Sequence, residues 1–171
     1  HVSGISMAIS SSACETTLAA LQFARATGVC TSFGANLRLK LWTREQALAA
    51  CQRALPLTDL FLPSLDDITA LTGATESEAV LDWGHGLGAR QVVLKLGAGG
   101  AVVSDGQRRT RIAPLAVPVV DATGAGDCFA GNLLAVLCAG DALETAARYA
   151  NAAAALAVQG FGAVAPLPRP D

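Results

Sequence analysis

The sequence predicts an α/β protein, a three-layer αβα sandwich around a mostly parallel sheet, and three observations carry that expectation. Short β-branched runs alternate with longer alanine-rich amphipathic stretches, the pattern of parallel strands and their crossover helices. Gly28, Gly73, Gly88 and Gly140 stand where the helical stretches stop, as C-terminal helix caps require. Of the 171 residues, 52% are hydrophobic and 15% charged, a composition that buries itself rather than staying disordered.

Taken in order, an apolar run predicts a core strand over 2–9, and the serines at 10–12 cap a helix over 14–27. A strand over 29–33 follows Gly28, then a helix over 43–55 and a strand over 60–62. Helices over 65–72 and 76–87, separated by Gly73, lead to a strand over 91–96. Gly97-Ala-Gly-Gly100 then turns this strand into another over 101–103, a hairpin that makes the sheet mixed at one edge. A strand over 117–120 enters a glycine turn, and helices over 127–139 and 142–158 close the fold, with an extended tail over 166–171. No linker, repeat or charge block divides the chain, so 1–171 reads as one unit. Because the first residues already look like a core strand, the chain reads as N-terminally incomplete.

A net charge of −2 provides no basic field to gather a phosphate backbone, which argues against nucleic acid and for a small ligand. Cys14, Cys30, Cys51, Cys128 and Cys138 are odd in number and scattered, and read as buried free thiols of a cytoplasmic protein. Apolar runs such as 152–158 are too short to span a bilayer, and no signal peptide opens the chain, so no membrane association is expected. His1 and His85 have no partner at metal-ligand spacing, and Trp42 and Trp83 read as packing residues.

The chemistry concentrates in Asp121-Ala-Thr-Gly-Ala-Gly-Asp127, where a strand runs through a glycine turn into an apolar helix. The first turn of a helix has unpaired N–H groups and the positive end of the peptide dipoles, and Gly124, Ala125 and Gly126 barely obstruct an approaching anion. Asp127 at the helix start either caps the helix or takes a proton from a hydroxyl attacking a phosphoryl group.

This string resembles the C-terminal signature of the ribokinase-like (PfkB) family of ATP-dependent carbohydrate kinases, whose fold is Rossmann-like. Lys95-Leu-Gly-Ala-Gly-Gly-Ala resembles that family's nucleotide-binding turn, and Tyr149-Ala-Asn-Ala-Ala-Ala-Ala its helix beside the adenine. Ser32-Phe-Gly-Ala-Asn-Leu-Arg-Leu-Lys-Leu-Trp42 is similar to a segment of 2-keto-3-deoxygluconate kinases, and the likeness covers essentially the whole chain.

The resemblance implies Asp127 as catalytic base and the amides of Gly124, Ala125 and Gly126 as anion hole. It places Lys95, Gly97 and Gly100 along the nucleotide, largely through backbone groups, and Asn151 toward the adenine. Asn36 and Arg38 would meet phosphate or sugar acid, since an Arg fork pairs with either. Asp121 corresponds to a monovalent cation site, with K⁺ as the ion. Ser64 and Asp67 stand where the family has Asn-x-x-Glu acting through Mg²⁺ and phosphate, an exchange that loses an amide and reach. Gly34-Ala35 replaces a common Asp-Pro, and the 160–163 loop lacks a carboxylate present in some relatives.

The implied activity is ATP- and Mg²⁺-dependent phosphorylation of 2-keto-3-deoxygluconate to its 6-phosphate by a cytoplasmic homo-oligomer. The alternatives are another family sugar kinase, such as a fructokinase or ribokinase, or a catalytically inactive nucleotide-binding fragment. The family's N-terminal portion, which supplies sugar contacts and a lid, precedes the segment matched here. The chain alone is therefore expected to bind nucleotide weakly and to show no appreciable kinase activity.

Overall fold

The computed structural model describes residues 1–168. Residues 169–171, the end of the expected extended tail, lie outside it, and 164–167 close a turn through Leu167 N–H to Val164 O at 3.3 Å.

Six strands form one sheet in the order β1-β2-β3-β4-β5-β6: Val2–Ser3, Ser32–Gly34, Leu60–Phe61, Gln91–Lys95, Ala101–Ser104 and Arg109–Ile112. The first four pair in parallel, with Val2 opposite Phe33, Ser32 opposite Leu60 and Leu60 opposite Gln91. Helices supply the crossovers: α1 (Gly4–Ala8) and α2 (Ser11–Ala26), then α3 (Arg44–Ala54), then α4 (Leu65–Thr72) and α5 (Ser77–Gly86). The links from β4 to β5 and from β5 to β6 are far too short for a parallel crossover, so these strands run antiparallel and the sheet is mixed as expected. α6 (Ala125–Cys138) and α7 (Leu143–Ala157) follow.

Three expectations are corrected. The strand over 2–9 stops at Ser3, because its partner β2 ends at Gly34 and leaves no ladder to continue; Gly4 opens α1, which buries Met7. A short apolar run does not by itself distinguish strand from helix.

The second correction is that 117–120 forms no strand. Pro118 has no N–H, the amides of Val120 and Asp121 both donate to Val158 O, and Val119 and Val120 are 64% and 60% exposed. Third, β6 was not expected. Its charged Arg109-Thr-Arg111 suits a strand at the sheet edge.

The chain divides into two compact units, His1–Leu94 with Ser104–Arg109, and Lys95–Val103 with Thr110–Asp171. No linker marks the division because it crosses hairpin strands.

In the first unit, Phe33 and Phe61 are fully buried and stack at 5.9 Å, and Trp83 leans on Phe61 at 6.1 Å. Ala47, Ala50, Cys51 and Ala54 form the buried face of α3, which begins with a capping box between Thr43 and Gln46. His85 is structural. Its Nδ1 donates to Ala89 O at 2.9 Å, since a carbonyl only accepts, and its Nε2 meets the buried Ser104 hydroxyl at 2.7 Å. Arg109 anchors the β5–β6 hairpin to α5 through Glu78 and Asp82.

In the second unit, α6 and α7 form a helical hairpin around Gly140. The alanine face of α7 (Ala146, Ala147, Ala150, Ala153, Ala157) lets the helices approach closely, and Ala153 and Ala157 pack with Cys128.

No disulfide joins the cysteines, and Cys51 and Cys128 are buried as expected. Cys14 is half-buried on α2, and Cys30 and Cys138 are exposed instead, Cys30 in the connection between α2 and β2 and Cys138 at the last residue of α6.

Gly100 is held by the hairpin at φ +85°, where a Cβ would lie 2.2 Å from Ile112 O and 2.9 Å from Pro114 N. Gly100→Ala is expected to destabilise by about 3 kcal/mol or more. Gly131→Ala, in open space on α6, is expected to stabilise by roughly 0.5–1 kcal/mol. Urea titration of both variants checks the contrast. Burial pushes the Cys51 thiol up to about 12. Iodoacetamide at pH 8 is therefore expected to label Cys138 well before Cys51, as peptide mass mapping would show.

Candidate functional site

The structure brings most of the expected residues together in the second unit. The apolar sequence from Cys128 onward forms α6, and the chain reaches it through Gly124, whose φ of +77° is left-handed. No side chain caps α6. Asp127 does not play the N-cap role, since Gly124 holds that position; it is the third residue of the helix and exposed.

Of the three expected anion-hole amides, that of Ala125 already donates to Ala122 O at 3.2 Å inside the turn. Gly126 and Asp127 thus contribute the first-turn N–H groups that a helix cannot satisfy from its own carbonyls. The amide of Asp127 was not anticipated, although its position in the helix start is itself the signal.

Lys95, the last residue of β4, was expected to act through its backbone, but its ammonium lies beside the turn. A Cβ built on Gly126 would stand 3.5 Å from Lys95 Nζ. A cation beside an uncapped helix start without a side-chain barrier is a site suited to phosphate oxygens. After Lys95, residues 97–99 form a 3₁₀ turn, Leu96 N–H closes onto Gly100 O at 2.8 Å, and Gly97 faces open space. Arg111 from β6 reaches over this turn toward Gly99 O at 3.4 Å. Asn151 on α7 donates to Ala113 O at 3.0 Å, so its amide fastens the segment after β6.

Asp121 accepts from the Thr123 amide and hydroxyl at 2.9 and 2.7 Å and from the Gly162 amide at 2.9 Å. These donors, the Thr123 hydroxyl foremost, hold its carboxyl below the usual aspartate range. Gly124 approaches the same loop so closely that a Cβ would be 3.0 Å from Ala163 Cβ.

The remaining expected residues lie in the first unit. Asn36 is left-handed at φ 39° and donates to Ser3 Oγ at 3.2 Å; Arg38 is exposed and donates to Leu37 O at 2.7 Å. Ser64 caps α4 by accepting from Asp67 N–H at 3.2 Å. Among the described residues no group of three or more His, Cys, Asp or Glu is arranged to hold a metal ion. No helix among them is long and apolar enough to cross a membrane.

A mixed α/β sheet with a glycine turn opening a helix, an exposed carboxylate in its first turn and a lysine alongside defines the ribokinase-like class. Residues 1–170 match the pfkB family of carbohydrate kinases, and the chain belongs to that family.

It is 36% identical over 172 aligned positions to 2-dehydro-3-deoxygluconokinase of Escherichia coli K12, covering 97% of this chain and 56% of that protein. Among solved structures it resembles aminoimidazole riboside kinase from Salmonella enterica, complexed with aminoimidazole riboside and an ATP analogue. That likeness has a TM-score of 0.91 at 31% identity and covers 98% of this chain and 58% of the other. Fructokinase from Vibrio cholerae, in its fructose-, ADP- and calcium-bound form, aligns with a TM-score of 0.89 at 32% identity over 98% of this chain and 56% of the other. The chain thus spans about half the length of the relatives it matches.

Because the folded-state value of Asp121 is depressed, the stability it contributes is present above the ordinary carboxylate range and is lost as the pH falls through the lower folded value. The Thr123 and Gly162 amide resonances are expected to hold steady through pH 5 and to move together only in stronger acid. An NMR pH titration checks this.

Proposed function

We propose that this protein transfers the γ-phosphoryl group of ATP to a hydroxyl of 2-keto-3-deoxygluconate, giving the 6-phosphate, and that residues 1–171 are its nucleotide-binding and catalytic portion. The observation that carries this reading is the exposed Asp127 carboxylate in the first turn of an uncapped helix, beside the Lys95 ammonium. The 36% identity to a 2-dehydro-3-deoxygluconokinase supports the choice of sugar acid.

In this mechanism Asp127 takes the proton of the acceptor hydroxyl as its oxygen attacks the γ-phosphorus and the bond to the bridging oxygen breaks, leaving ADP. The amides of Gly126 and Asp127, with the peptide dipoles of α6 behind them, stabilise charge on the phosphoryl oxygens, and Lys95 adds a fixed positive charge. Bound MgATP supplies the transferable group and a divalent charge that neutralises the phosphates. Ser64 and Asp67 are oxygen donors that suit Mg²⁺ through water rather than as a closed ligand set. Arg38, exposed and donating to its neighbour's carbonyl, suits the carboxylate of a sugar acid. The reading carries with it a cytoplasmic homo-oligomer.

A second reading, phosphorylation of another sugar as in a fructokinase or ribokinase, draws support from the fructokinase likeness at 32% identity. An ADP-release assay with the full-length protein over a panel of sugar acids and neutral sugars separates the two. Preferred turnover of 2-keto-3-deoxygluconate upholds the first, preferred turnover of a neutral sugar upholds the second, and turnover of none with intact ATP binding leaves a nucleotide-binding protein.

In the full-length protein Asp127→Ala is expected to lower kcat by about 10²- to 10⁴-fold with the Kd for ATP little changed. Arg38→Ala is expected to raise KM for the sugar acid by at least about tenfold while leaving ATP binding alone. Steady-state kinetics with nucleotide calorimetry checks both.

A further inference from the structure

Ser3 holds the N-cap position of α1, where a hydroxyl ordinarily accepts from a first-turn amide, as those of Ser10, Thr43 and Ser64 do for α2, α3 and α4. Ser3 makes no such bond. Its Oγ instead accepts from Asn36 Nδ2 at 3.2 Å, 33 residues away in the chain.

Asn36 has a backbone of its own kind. Among the described residues it is the one non-glycine with a positive φ, at 39°. A left-handed backbone costs free energy in a residue with a Cβ, and it persists only where the surroundings fix it. Here the surroundings are the carboxyl ends of β1 and β2, which pair Ser3 with Gly34. The chain leaving β1 passes so close to the chain leaving β2 that a Cβ built on Gly4 would lie 2.1 Å from Ala35 O. The carboxyl edge of parallel strands is also where sheets of this kind bind ligands.

An asparagine amide has two N–H donors and an acceptor oxygen. Among the described residues the bond to Ser3 is the one hydrogen bond of the Asn36 side chain, which leaves the second N–H and Oδ1 for a ligand. Asn36 is half-buried, and the exposed Arg38 follows in the same segment.

We infer that Ser3 is a positioning residue for the acceptor: its hydroxyl forgoes capping α1 and aims the Asn36 amide, so that Asn36 meets oxygens of the sugar acid beside Arg38. Ser3 acts through Asn36 and touches no reacting atom. That the ligand is a sugar acid rests on the kinase reading; the aiming of Asn36 by Ser3 does not.

The test has two arms. In the 171-residue chain, NMR relaxation follows the Asn36 side-chain amide, which is expected to be ordered in the wild type. In Ser3→Ala its order parameter is expected to fall below about 0.6, and Ser3→Thr, which keeps the hydroxyl, is expected to restore it. In the full-length protein, steady-state kinetics is expected to show Ser3→Ala raising KM for 2-keto-3-deoxygluconate by about fivefold, with kcat and KM for MgATP little changed and Ser3→Thr close to wild type. Glycine adopts a φ of 39° without strain. Asn36→Gly is therefore expected to keep or raise the melting temperature while raising the same KM by about tenfold.

An Asn36 amide that stays equally ordered in a folded Ser3→Ala overturns the proposal, and so does an unchanged KM in a folded Asn36→Gly. Ser3→Ala that melts earlier with KM unchanged gives Ser3 a structural role alone and overturns it too. If the wild-type full-length protein turns over no sugar acid while the order of the Asn36 amide still depends on Ser3, the kinase reading fails and the aiming of Asn36 stands.

Discussion

The left-handed turn at Gly124 is the constraint on which the candidate site depends. Because α6 starts at Ala125 only after the backbone reverses at φ +77°, no bulky or capping side chain occupies the junction. The amides at positions 126 and 127 therefore end up uncapped, and Asp127 falls in the first turn, where the peptide dipoles favour negative charge. Moving the helix start by one residue would rotate Asp127 by roughly 100° around the axis, and would separate the carboxylate from the amides that belong with it.

What holds that turn is mostly remote in sequence. The carbonyl of Val158 and the amide of Gly162 grip the 120–121 backbone and the Asp121 carboxylate. Lys95 brings its ammonium to Gly126 from the end of β4. The alanine face of α7 serves the same arrangement. Small side chains let α7 lie close to α6, so that its C-terminal carbonyl reaches the segment entering the turn. A larger residue at Ala153 or Ala157, both buried against Cys128, would push the helices apart and take Val158 O with them.

The first unit follows a simpler rule. The first three parallel strands there are two or three residues long, and Phe33 stacks on Phe61 with Trp83 tilted against Phe61 beside them. Of the expected residues, Asn36 donates to Ser3, 33 residues away, and Ser64 accepts locally from the Asp67 amide. Polar side chains following the ends of parallel strands are well placed for ligands in such sheets, because backbone groups there are no longer paired in the ladder.

The helices after α1, their glycine stops, the β4–β5 hairpin and the glycine turn before Asp127 were legible in the amino-acid sequence, because each rests on neighbours within a few residues. Apolar periodicity sets which stretch coils, and a glycine with a left-handed φ sets where it stops. Tertiary structure decided the rest. It ended β1 at Ser3, where its partner strand ran out, and it made an edge strand of the charged 109–112 segment. It also took 117–120 out of the sheet, because Val158 claimed the amides of Val120 and Asp121. It likewise decided that Asp121 reaches Gly162 and Lys95 reaches Gly126. Hydrogen bonds and charge contacts between segments far apart in the chain depend on where packing places each backbone, and no local pattern of residue types encodes that distance.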